Sequence, residues 1–125
     1  MRYLTDSFAV GALRRGQGIE QFLGPVGSGD APAVSWVSVE PTRRGFVVML
    51  HTVEDTGGED FCDLLEFPPL DPDEEFGREI AVVDDPPSAM AVAEDRTGAL
   101  RGRWVNTGMA GDEYRDYVRA GRSKT

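Results

Sequence analysis

A single cysteine, Cys62, and a single histidine, His51, stand in this sequence. One thiol excludes an internal disulfide and leaves no zinc site built on paired cysteines. Long hydrophobic runs are missing too, none approaching the ~18 apolar residues that a membrane-spanning helix needs. The opening MRYLTDSFAVGALRRG has neither the uninterrupted apolar core nor the small-residue cleavage pattern of a secretory signal. A soluble, cytoplasmic protein with no membrane partner is the expectation. Positive charge is scarce: 13 Lys and Arg face 22 Asp and Glu, for a formal charge of −9. Binding nucleic acid requires a basic surface that releases phosphate counterions, so nucleic acid is excluded as a partner. Lys124 is the sole lysine, and a basic complement made of arginine beside abundant Ala, Gly, Pro and Asp is the codon bias of a GC-rich bacterial genome.

What the sequence does contain is an ordinary globular composition. Hydrophobic residues make up 40% and charged residues 28% of 125, enough for one domain, residues 1–125, to bury its own core. Fifteen glycines and eight prolines require frequent turns.

Helical spacing marks the start. In TDSFAVGALRRG, Thr5 or Asp6 can cap, Phe8, Ala9, Ala12 and Leu13 share a face, and Gly16 ends the turn. In QGIEQFLGP, Ile19, Phe22 and Leu23 stand at i, i+3, i+4, predicting a second helix stopped at Gly24-Pro25. That helix carries no basic residue, which argues against DNA reading by a helix-turn-helix. From Val34 the period becomes two. VSWVSVE predicts one strand and GFVVMLHTVED a second, apolar on both faces and hence central. DTGGED then predicts a hairpin turn, with Gly57 and Gly58 at positive φ, and FCDLLEF its return strand. Residues 34–67 thus read as a three-stranded antiparallel meander. A fourth strand is predicted at REIAVVDD. A helix follows, capped by Asp85, opened by Pro86 and closed by Gly98. A fifth strand is predicted at LRGRWVN, then a last helix capped by Asp112 with Tyr114, Tyr117 and Val118 inward. The class is α+β, a mostly antiparallel sheet of about four to five strands with N-terminal, internal and C-terminal helices packed on it. The predicted core comprises Phe8, Leu13, Phe22, Leu23, Val37, Val39, Phe46, Val48, Leu50, Leu64, Val82, Trp104, Tyr114 and Val118.

The segment HTVEDTGGEDFCDLLEF gathers His51, Cys62 and six carboxylates. Pairing about Gly57-Gly58 brings His51 and Cys62 close to being cross-strand neighbours. Their spacing matches no zinc motif, and EDTGGED lacks the alternating oxygen ligands of a calcium loop, so neither metal nor cofactor is expected. Neighbouring Asp60, Asp63 and Glu66 disfavour a Cys62 thiolate, and no catalytic residue is assigned. Carboxylates crowd residues 54–85, where Arg78 is the only cation. The candidate partner-binding residues are Glu59, Asp60, Asp63 and Glu66 around the hairpin, and Asp71, Asp73, Glu74 and Glu75 on the loop stiffened by Pro68, Pro69 and Pro72.

Paired short helices ending in LGP, a WVSVE strand, an acidic hairpin, an Asp-Pro-capped helix and a Trp-containing strand before the last helix form a recognisable layout. It resembles that of the small acidic immunity proteins encoded beside bacterial polymorphic toxins. The resemblance implies inhibition by binding, with acidic side chains covering a basic toxin site. The expectation is a small acidic binding module for a basic protein partner. The alternative is a small ligand-binding or enzymatic domain that uses a cleft near His51, the one side chain whose ordinary pKa suits acid/base work at neutral pH.

Overall fold

The structure is a computed structural model and describes residues 2–26 and 32–122. Its elements are α1 (Asp6–Arg14), β1 (Ile19–Val26), β2 (Ala33–Thr42), β3 (Gly45–Glu54), β4 (Arg78–Val83), α2 (Pro86–Thr97), β5 (Val105–Asn106) and α3 (Ala110–Arg119). The five strands form one antiparallel sheet in the order β4-β3-β2-β1-β5. This is the α+β arrangement that the periodicities predict, with three helices among the described residues where they predict four. Among the described residues no helix is long and apolar enough to cross a membrane.

Alternation along the strands divides the core in two. Val37, Val39, Val48 and Ile19 pack with Ala12, Leu13, Met90 and Trp104 on the side of α1 and α2. Val34, Trp36 and Val53 pack with Leu64, Phe67, Ala110 and Tyr114 on the side of α3. A sheet buried on both faces needs apolar residues at consecutive positions, and β2 answers with an unbroken buried run over residues 33–39.

Several sequence expectations fail, for identifiable reasons. QGIEQFLGP is not a helix. It forms β1, in which Ile19 lies opposite Val39 and Phe22 opposite Trp36, so the two apolar residues serve the two separate cores. The predicted return strand at FCDLLEF is absent. Phe61–Phe67 runs through a turn into a short 3-10 helix, Leu64–Glu66, and β4 takes the place beside β3 instead. The meander is therefore β1-β2-β3-β4. Gly57 and Gly58 do not adopt positive φ; a Cβ on Gly57 would meet the Phe61 carbonyl and the Phe67 ring, so close approach is what that glycine provides. The fifth strand shrinks to two residues because a 3-10 turn, Arg101–Arg103, precedes it. Phe8 is 65% exposed, and Ala9, Ala12 and Leu13 bury the inner face of α1 without it. Phe22, Leu23, Phe46, Leu50, Val82 and Val118 are only half-buried.

Helix ends follow local chemistry where it exists. Asp85 accepts the Ser88 amide at 2.9 Å, and Gly98 closes α2 at φ 80°. Thr5 caps α1. Asp112 does not cap α3, because the helix begins at Ala110. The buried Glu20 of β1 does so from across the fold, its Oε2 accepting the Ala110 amide at 3.0 Å.

Candidate functional site

The acidic segment between β3 and β4 is a layer of turns laid over the α3 side of the sheet. Asp63 accepts the Leu65 amide and starts the 3-10 turn Leu64–Glu66. Side chains three apart eclipse in such a turn, so burying Leu64 and Phe67 in the core directs Leu65 and Glu66 outward. Pro68–Leu70 then runs beside the end of β3, where the Glu54 amide donates to Pro68 at 2.8 Å and the Leu70 amide to Thr52 at 3.0 Å. Asp71 accepts the Asp73 amide at 2.9 Å, Pro72 opens the 3-10 turn Pro72–Glu74, and the Gly77 amide closes it on Glu74 at 2.9 Å. The loop is held by its own backbone and caps, leaving the other carboxylates outside.

Large apolar side chains stand among those carboxylates. Leu65 is 76% and Phe76 82% exposed, with Leu70 and Phe61 also outward. Leu65 and Phe76 border a cleft of about 480 Å³ with Trp36, His51 and Phe67 in its wall and Glu66, Glu74 and Glu75 around it. His51 is stacked on Trp36, ring centroids 4.4 Å apart and planes 7° from parallel, and its Nε2 shares a 3.0 Å hydrogen bond with Ser38 Oγ. Burial lowers its pKa to about 4, so the imidazole is neutral at pH 7. Gly77, at φ 93°, lies so near the ring that a Cβ there would sit 2.6 Å from His51 Nδ1.

The eight expected partner-binding carboxylates do not form one face. Glu59 is ion-paired to Arg119 at 2.7 Å, and its carbonyl accepts from Arg115, so α3 neutralises that end. Asp60 and Asp63 are exposed beside it. Glu66, Glu74 and Glu75 gather at the cleft, with Asp71 and Asp73 exposed on the same loop. Glu74 lies 3.7 Å from Arg78. The expected proximity of His51 and Cys62 is overturned: the imidazole engages Trp36 and Ser38, whereas Cys62 Sγ donates to the Gly58 carbonyl at 3.0 Å in the turn beside α3. Among the described residues no three His, Cys, Asp or Glu side chains are grouped to hold a metal ion. Ser38 and His51 superficially pair a hydroxyl with a base, but Ser38 is buried, which closes its oxygen to a substrate.

Leu65 and Phe76 are the residues sequence reasoning missed. The spacing of Leu64 and Phe67, three apart after a capping Asp63, was the available signal for Leu65. Comparison with protein-family models, with curated proteins and with solved structures finds no match to this chain.

Proposed function

We propose that the chain is a non-enzymatic binding module whose cleft-bearing acidic surface, Leu65, Glu66, Asp71, Asp73, Glu74, Glu75 and Phe76, docks a basic protein. The observation that carries this reading is the exposure of Leu65 and Phe76 among carboxylates on a loop fixed by caps and prolines. Exposed large apolar side chains at the mouth of a cleft are the kind of group that anchors an interface. A rim of one charge sign speeds encounter with an oppositely charged partner and rejects like-charged ones. Preordering of the loop lowers the entropy lost on binding. In its immunity-like form, the surface would cover a basic active site of a toxin and block it. An acid/base role for His51 is disfavoured by its burial, its depressed pKa and its closed contact with Ser38.

The test is crosslinking in cells that express the gene from its own locus, comparing wild type with Phe76→Ser and with the triple variant Asp73→Asn, Glu74→Gln, Glu75→Gln. The expected result is a captured protein with a basic surface whose recovery falls in both variants and at raised salt. Recovery indifferent to both variants would refute the reading.

A further inference from the structure

Across much of the molecule the chain's own arginines meet its carboxylates. Arg119 pairs with Glu59, Arg101 with Glu94, Arg44 with Glu79 and Arg122 with Asp55. The cleft beside Phe76 differs. Among the described residues, Glu66 and Glu75 pair with no basic side chain, and Glu74 has only Arg78, at 3.7 Å. Asp63 and Asp71 are turned to the backbone of their own turns, so the charge lining the cleft is that of the three glutamates.

The space inside that rim is apolar and aromatic. At about 480 Å³ it falls within the range of clefts that enclose a small ligand. Phe67 and the stacked Trp36–His51 pair form its wall, and Phe76, 82% exposed, presents an uncovered ring at its mouth. The His51 ring is neutral at pH 7, so the wall adds no positive charge to repel a cation. A compact metal ion is not served, because among the described residues no three His, Cys, Asp or Glu side chains are grouped to hold one. The arrangement suits a cation that spreads its charge over a plane at the end of an apolar stem. A guanidinium lies flat on aromatic rings and donates to more than one carboxylate, whereas an ammonium concentrates its charge at one strongly hydrated point. The methylene stem of arginine can pack on apolar surface while its head stays at the rim.

We propose that this cleft receives an arginine side chain of the basic partner, its stem against Leu65 and Phe67 and its guanidinium over Phe76, among Glu66, Glu74 and Glu75. The inference rests on the docking reading above and narrows it: the anchor of the partner is a guanidinium.

The test is an amide-resolved NMR titration of the full chain with N-acetyl-arginine methylamide and its lysine and citrulline counterparts; citrulline keeps the shape of arginine and lacks its charge. Saturable shifts centred on Glu66, Glu75, Phe76 and Gly77 are expected with the arginine probe, binding about fivefold weaker with lysine, and none with citrulline. The double variant Glu66→Gln, Glu75→Gln should weaken the arginine probe about tenfold, and Phe76→Ser about fivefold. All three positions are exposed, so both variants keep the fold. The proposal is overturned if the arginine probe leaves the cleft unshifted, if lysine or citrulline binds as well as arginine, or if both variants bind arginine unchanged. The crosslinking experiment separates this inference from the reading beneath it. Partner capture that falls in its two variants, beside a cleft that ignores the arginine probe, refutes the guanidinium anchor alone. Capture indifferent to those variants, beside a cleft that binds arginine selectively, refutes the docking reading and leaves the guanidinium site standing.

Discussion

The Arg122 guanidinium lies 2.6 Å from both carboxylate oxygens of Asp55, whose side chain is only 2% exposed. The Tyr114 hydroxyl donates to the same carboxylate, and Arg122 also reaches the Gly57 carbonyl at 2.9 Å. Arg122 is the one non-glycine residue at positive φ among those described, 63°, and it follows Gly121 in closing α3. The end of the last helix is thereby tied to the chain leaving β3, at the root of the acidic layer.

Removing the cation should therefore destabilise the fold. Stranding one partner of a fully buried ion pair costs about 3–5 kcal/mol. Arg122 is 39% exposed, so water screens part of the pair, and Arg122→Ala should lower stability by about 2 kcal/mol. Tyr114→Phe leaves the same carboxylate short of a donor and should cost about 1 kcal/mol. Urea unfolding of both single variants and the double variant would measure the coupling; strictly additive losses would count against a shared network.

His51 gives stability a specific pH dependence. Its pKa falls from an ordinary 6.5 to about 4 in the fold because the ring is buried. Between those values the unfolded chain binds the extra proton, so stability rises with pH across that window. The contribution is fully present above about pH 6.5, is lost as pH falls toward 4, and amounts to about 3 kcal/mol across the window. His51→Gln should flatten this part of the stability profile relative to wild type. An imidazole resonance that titrates near 6.5 in the folded protein would contradict the burial argument.

Glu40 behaves with the opposite sign. Burial, then the charge of Glu20, raises its pKa, against a hydrogen bond from Thr107. Here the folded protein binds the extra proton, so stability falls as pH rises from the ordinary carboxyl value through the raised one. Glu40→Gln keeps the shape and removes the charge. It should raise the urea midpoint at pH 7, with the gain fading as wild-type Glu40 becomes protonated in acid. A gain that persists unchanged at pH 3 would point to some cause other than this charge.

Local chemistry explains what was legible in the sequence. Helix α2 could be read nearly to its ends because Asp85 and Pro86 at its start and Gly98 at its finish each act on the turn next to them. β2 and β3 could be read because both faces of a central strand demand apolar residues. β1 could not, since Ile19, Phe22 and Leu23 fit a helical face equally well. Only the sheet partners Val39 and Trp36 send Ile19 and Phe22 to opposite cores, and those partners are tertiary facts. The same holds for FCDLLEF, where β4 wins the place beside β3 from a longer sequence distance. At the candidate site, the carboxylates were evident from their letters. The exposure of Phe76 was not, because a large aromatic side chain is ordinarily assigned to the core.

Gly77 joins the acidic layer to the sheet and offers the last test. Its φ of 93° is a conformation side chains rarely adopt, and a Cβ there would lie 2.6 Å from His51 Nδ1 and 2.7 Å from His51 Cε1. The ring has little freedom to yield, because Trp36 is stacked on it and Ser38 holds Nε2. Gly77→Ala must therefore either push the 72–77 loop outward or displace the imidazole from Trp36. Strain of both kinds, backbone and steric, puts the loss of stability at about 2–3 kcal/mol. The two responses separate by NMR. A displaced loop shifts the amides of Glu74, Glu75 and Phe76 while His51 keeps its depressed pKa, whereas a displaced ring gains water and titrates closer to 6.5. Either response changes the cleft beside Phe76, so partner binding through that surface should weaken in Gly77→Ala even where the protein remains folded. Undiminished binding by a folded Gly77→Ala variant would place the interface elsewhere on the molecule.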